Sequence, residues 1–268
     1  LENTKSINHA ISHRIFLVLH ANRLSCLITD KHKIPIFFET FVEITSEKMD
    51  NLMQTRAYFR EIYSSSRLIL DLPKYALYPA ESYLNEEESA LLFKINHRNT
   101  VSEQLIELEE DTRVKAICAV DANIYQSLSH VYPGLRIYHH LHYLMSDTHW
   151  VHAKGENMAI YLKGQDLTIL VKRNQSLLMT NTYQAENEDE IRYFTMLAAE
   201  QTGIDALQGK LFIWPSDFDP MVNEWFKPYF EDIERLEPEP TYFQWLSEEE
   251  QVLFKNESIL HLALSCES

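Results

Sequence analysis

The sequence predicts an α/β protein made of two tandem copies of one unit, each centred on a mixed five-stranded sheet with flanking helices. Three observations predict it. Apolar runs broken by short polar turns give three consecutive strands starting near residue 15, and three more starting near residue 158. Each triplet is followed by a segment of helical period and then by a short apolar strand. One offset, 143 positions from Leu19 to Leu162, brings both triplets and both later strands into register.

The elements follow in order. Residues 15–19 are continuously apolar, the pattern of a strand buried on both faces. Residues 20–23 make a polar turn, 24–28 a second strand, 30–33 a second turn and 34–41 a third strand, an antiparallel meander. Residues 46–63 place Met49, Leu52, Met53, Phe59 and Ile62 at helical spacing. Residues 67–70 form a short strand closed by Asp71, Leu72 and Pro73. A helix over 84–95 opens with Asn85 and Glu86 to Glu88, acids that favour a helix N-terminus. Strands follow at 102–108 and 114–120, then a helix at 121–132 with Asp121 as N-cap, a strand at 135–138 and a helix from 139. Strand, helix and strand at this spacing predict a parallel pairing of 114–120 with 135–138. Residues 146–157 read as a hinge, giving domains 1–146 and 147–268, the latter with a C-terminal tail.

The second copy repeats the order. Strands fall at 158–164, 167–171 and 177–183, a helix at 187–201 with Ile191, Phe194, Leu197 and Ala198 on one face, and a strand at 210–213. The offset sets Leu24 on Leu167, Ser25 on Thr168, Leu27 on Leu170, Ile28 on Val171 and Ile34 on Leu177. It also sets residues 67–70 on 210–213. A helix over 221–231, a strand at 234–236, an extended Pro238-Glu239-Pro240 and the tail complete the chain.

Composition narrows the function classes. The formal net charge of −16 repels phosphate backbones and argues against nucleic acid. No apolar run approaches the roughly 20 residues of a membrane span. Residues 1–14 contain no hydrophobic signal core, so the expected address is cytoplasmic. Cys26, Cys118 and Cys266 have neither paired number nor metal-ligand spacing, and read as reduced packing residues. There are only five glycines in 268 residues, which bears directly on the chemistry below.

Three antiparallel strands, helix, strand, helix, strand, helix, given twice, resembles the duplicated ribonuclease-H-like unit of actin, the sugar kinases and the heat-shock chaperone ATPases. Residues 68–79, from Leu68 to Pro79, resemble the strand–Pro–loop segment of the bacterial actin-like pilus-assembly and cell-division ATPases. Residues 114–144 resemble the block that closes their first half. Overall the chain is similar to bacterial domain-of-unknown-function family 3822, which has this actin-like fold. The resemblance covers about residues 15–235 and is specific for fold, since one fold hosts many activities.

A working member of that superfamily holds ATP·Mg²⁺ with a hairpin turn from each half and an adenine loop. The turns are usually Asp-x-Gly, because the backbone must come close to phosphates and take positive φ. Here the first turn is His20, Ala21, Asn22, Arg23, with neither Asp nor Gly. The second is Lys163, Gly164, Gln165, Asp166, where one glycine survives and the acid follows it. The adenine loop, usually a glycine pair, reads Trp214, Pro215, Ser216. All three motifs are degenerate, so no cofactor, no metal and no catalytic residue is assigned. Arg23, Lys163 and Thr168 remain the side chains able to meet an anion, which keeps open the alternative of a cryptic ATP-binding regulatory protein.

A ribonuclease-H-type nuclease needs a carboxylate on the first strand, one on the first helix and one ending the fourth strand, together holding two Mg²⁺. Asp71 and Glu61 occupy two such places, but the first strand ends in His20. The crowded His139, His140, His142, His149 and His152 fit no metal motif and read as polar groups near the hinge. In the tail, Tyr242, Phe243, Trp245 and residues 259–264 either dock on the second half or mark a partner site. The expected function is therefore a non-catalytic, actin-like protein-interaction or scaffold module in the cytoplasm. Its partner would be an unidentified protein, with no nucleic acid and no membrane-spanning segment.

Overall fold

The computed structural model describes residues 12–97, 103–111, 113–214 and 222–266. These fall into two compact units. One runs to Tyr143 and takes in Pro240–Phe254, and the other comprises Leu144–Glu239 and the chain from Lys255. The expected boundary at 146/147 places the whole tail in the second domain. The tail is in fact shared between the units.

In the first unit the apolar run becomes β1 (Arg14–His20), with Ile15 to Leu19 buried. It pairs antiparallel with β2 (Arg23–Thr29), which pairs antiparallel with β3 (Pro35–Phe41). β4 (Ser65–Leu70) lies parallel on the other side of β1, and a strand at Arg136–His139, β8 below, lies parallel to β4. Thr45 caps α1 (Ser46–Thr55), whose Met49, Leu52 and Met53 are buried. The expected single helix over 46–63 stops at Arg56, which is extended, and a 3₁₀ turn at Ala57–Arg60 buries Phe59 instead.

The insert departs from expectation. β5 (Tyr75–Pro79), β6 (Glu103–Asp111) and β7 (Val114–Asp121) form a separate antiparallel sheet in the order β5-β7-β6. α2 (Glu86–Asn96), opened by an Asn85–Glu88 capping box, sets Phe93 against Ala76, Tyr78, Ile117 and Ala119. The predicted parallel pairing of 114–120 with 135–138 is thus corrected. β7 turns back on β6, and α3 (Ala122–Val131) leads on to β8 (Arg136–His139), which joins β4 in the larger sheet. Its order is β3-β2-β1-β4-β8.

β3 is an edge strand of that sheet, and the tail segment protects it. After a 3₁₀ turn at Pro240–Phe243, α8 (Glu248–Lys255) brings Phe254 to 5.3 Å from the Phe38 ring and 5.7 Å from Phe243. The Glu250 carboxylate accepts from the Phe38 N–H at 3.3 Å, satisfying a donor on the strand edge. The tail aromatics therefore dock on the first unit, although Trp245 stays exposed.

The second unit repeats the larger sheet. After α4 (His140–Ser146) and α5 (Thr148–His152) come β9 (Glu156–Lys163), β10 (Asp166–Arg173) and β11 (Ser176–Gln184). α6 (Glu188–Thr202) follows, ended by Gly203 in the left-handed region at φ 66°, then β12 (Lys210–Trp214), α7 (Val222–Phe226) and β13 (Asp232–Arg235). The order β11-β10-β9-β12-β13 matches the first sheet strand for strand, and β12 is parallel to both β9 and β13. Ile191, Ala198 and Ala199 of α6 pack with Ile160, Leu167, Ile169 and Leu211 in the core. α9 (Ser258–Ser265) is buried from Ser258 to Leu264. Among the described residues, no helix is long and apolar enough to cross a membrane.

Candidate functional site

The two hairpin turns occupy equivalent places. His20 pairs with Arg23 across Ala21 and Asn22, and Lys163 pairs with Asp166 across Gly164 and Gln165. The first central residue has positive φ in both, 47° at Ala21 and 59° at Gly164. The third position anchors each turn alike: the Asn22 carbonyl accepts from Ile44 N–H at 2.6 Å, and that of Gln165 from Ala185 N–H at 2.8 Å. The offset of 143 read from sequence thus relates one backbone feature in both halves. The first copy holds it with an alanine, which lacks glycine's freedom there.

The residues around the first turn form a buried polar cluster that the sequence reading did not assemble. β1, β4 and β8 run parallel, so their C-terminal ends bring together His20, Asp71 and His139, and His140 opens α4 beside them. His20 Nδ1 lies 2.8 Å from the Asp71 carbonyl and 3.4 Å from its carboxylate. His140 Nδ1 lies 3.4 Å from the other carboxylate oxygen. His139 Nε2 is 2.9 Å from the Leu72 carbonyl, which can only accept, so that nitrogen carries the proton. The Tyr75 ring presents edge contacts to both His139 and His140. Burial pushes His139 well below the ordinary imidazole value, and it also pushes His140 down despite the neighbouring Asp71.

From sequence Asp71 reads as a nuclease carboxylate, His20 as part of the degenerate first turn, and His139 and His140 as polar groups near the hinge. The signal that would have joined them is strand-end position, since the carboxyl ends of parallel strands are where open α/β sheets gather functional groups. The cluster holds one carboxylate and two imidazoles, His139 and His140, whose charged forms burial disfavours. Among the described residues, no set of three His, Cys, Asp or Glu side chains is placed to hold a metal ion.

The second turn is engaged inside its own unit. Lys163 is only 3% exposed. Its Nζ donates to the Asn256 carbonyl at 2.8 Å and lies 3.4 Å from the Glu257 carboxylate at the start of α9. Thr168, 2% exposed, shares a 2.8 Å hydroxyl contact with Thr182 across the β10–β11 pair. The Asp166 carboxylate accepts from the side-chain amide of Gln184. Lys163 and Thr168, two of the three side chains singled out as able to meet an anion, are thus used in packing. At the end of β12, Trp214 is buried with its ring 6.3 Å from that of Trp150. Pro215 and Ser216 lie outside the described residues.

Two sheets of identical strand order, each with a three-stranded meander feeding two parallel strands, define a protein of the actin-like ATPase fold class. The chain belongs to the family described as Protein of unknown function (DUF3822), whose model matches residues 2–225. It is similar to a Bacteroides thetaiotaomicron protein with actin-like ATPase fold and unknown function. That likeness has a TM-score of 0.76 at 15% identity and covers 96% of this chain and 97% of the other. It is also similar to a chain of a PilM–PilN type IV pilus biogenesis complex, with a TM-score of 0.52, 11% identity and 97% and 99% covered. At these identities the likeness shows the fold alone. No curated protein matches the sequence.

Proposed function

We propose that this chain is a non-catalytic, actin-like interaction module of the cytoplasm that binds a protein partner and does not turn over nucleotide. One observation carries the reading: Lys163 is buried against Asn256 and Glu257. A cation on the second hairpin turn that could have met a phosphate neutralises a buried acid of the same unit. The first turn lacks the acid and glycine of the nucleotide-binding pattern, which supports the same reading. So does the fold shared with a chain of a pilus biogenesis complex, a protein whose name records an assembly partner. The net charge of −16 favours a basic partner, since a field of this sign speeds encounter with cations.

Thermal unfolding with and without ATP, ADP and Mg²⁺ tests the proposal. A ligand at about 100 times its Kd adds about 2.7 kcal/mol of stability, a readily measured shift for a chain of this size. The expected result is no saturable shift and no phosphate release. A saturable shift with ATP would establish the cryptic nucleotide-binding alternative, and steady hydrolysis would overturn the non-catalytic reading.

A further inference from the structure

We propose that the outer face of α6 is a docking groove for a cationic, amphipathic peptide segment of another protein. This rests on the interaction-module reading and gives it a surface and a partner chemistry. α6 sends Ile191, Thr195 and Ala198 into the core of the second unit. Beside that buried face Met196 packs partly against the same core, and the partly exposed Leu197 and exposed Tyr193 carry the apolar surface on outward, where a helix covering one core would turn polar. Together with Leu207 and the Pro228–Tyr229 corner, these side chains line a groove of about 800 Å³. Tyr193 is 61% exposed, Leu207 53% and Tyr229 37%, so large apolar side chains stand in solvent around one concavity.

The charges on the walls select the occupant. Asp189, Glu200 and Asp205 line the groove against one cation, Arg192. That guanidinium is already held by Glu188 at 2.5 Å and by Asp189. The groove is therefore apolar at its base and net negative at its rim. A second copy of this chain would bring its own charge of −16 into that field, and a nucleic acid would be repelled likewise. A segment with Lys or Arg beside two or three apolar anchors complements both the base and the rim.

Fluorescence anisotropy with three labelled probes tests this on the full chain. The probes are a short helical Leu/Lys peptide, its Leu/Glu counterpart and a Ser/Lys peptide without apolar anchors. The Leu/Lys probe is expected to bind at least about tenfold more tightly than the others. Tyr193→Ser with Leu207→Ser should weaken it by about tenfold or more, as hot-spot truncations do. Glu200→Lys with Asp205→Lys should weaken it and flatten its salt dependence. Leu91→Ser with Ile95→Ser, exposed positions on α2, should leave it unchanged. All these side chains are on the surface, but the Asp205 carboxylate also accepts from the Leu207 N–H at 3.1 Å, so where either groove pair shifts the melting temperature Glu200→Lys alone decides. Equal binding of the Ser/Lys probe, binding indifferent to the groove variants, equal loss in the α2 variant, or no binding would each overturn the groove. None of these measurements uses nucleotide. A nucleotide response with groove-dependent binding would overturn the earlier reading alone, and neither response would overturn the groove alone.

Discussion

Replacing Lys163 with methionine should destabilise the second unit by about 3 kcal/mol. The side chain and its partner Glu257 are each 3% exposed, with Nζ 3.4 Å from the carboxylate and 2.8 Å from the Asn256 carbonyl. Methionine keeps most of the volume, so the loss is electrostatic. Removing one member of a buried ion pair typically costs about 3–5 kcal/mol, because the remaining charge is left desolvated. Glu257 sits at the N-terminus of α9, whose dipole offsets about 0.5–1 kcal/mol of that cost. Lys163→Met with Glu257→Gln removes both charges and should recover most of the loss, to within about 1 kcal/mol of the natural chain. Urea unfolding followed by far-UV circular dichroism gives the free energies, and protease cleavage near α9 reports locally in case the two units unfold separately. A loss below about 1 kcal/mol for the single variant would refute the argument that this lysine is a buried structural cation. So would a double variant no more stable than the single.

Three further outcomes follow from the same geometry. Ala21→Gly should stabilise the chain by about 1 kcal/mol and Gly164→Ala should destabilise it by a similar amount, since both positions hold positive φ; denaturant midpoints check both. Burial holds His139 and His140 below their ordinary 6.5, so between the folded and unfolded values the unfolded chain binds more protons; stability is full above pH 6.5 and declines as pH falls, by at most about 1.4 kcal/mol per pH unit for each histidine, as urea midpoints at several pH values would register. Burial raises the Cys26 thiol well above its usual value, so Cys26 should resist alkylation in the native chain while the partly buried Cys266 reacts first, which peptide mass mapping of a short alkylation would resolve.

What was legible in the sequence was whatever rests on local pattern. The fully apolar run at 15–19 and the two hairpin turns are local, and repetition under one offset made the duplicated fold readable. β5 was missed because Tyr75 to Pro79 is five residues long, ends in proline and shows no alternation. The mispairing of β7 has a similar cause. Crossover length favours a parallel partner, whereas β7 pairs with β6 across a short turn and with β5 across the insert. The break at Arg56 carries no glycine or proline to announce it. The polar site was least legible: Lys163 meets Asn256 across 93 positions, and His139 and His140 reach Asp71 and Leu72 only once strand order is known. Long-range partners leave no periodic trace.

The division of the tail sets an order on how this chain is made. Segment Pro240–Phe254 completes the first unit, yet it leaves the ribosome after nearly all of the second. Until then the β3 edge stands without Glu250 on the Phe38 N–H and without Phe254 on its ring. The first unit thus waits, with an open strand edge, while a sheet of the same strand order is synthesised behind it. Two nascent sheets alike in register are a natural source of mispairing between units. A fragment cut after Glu239 would carry that uncovered edge permanently, so neither unit can be obtained intact by cutting the chain at a single point.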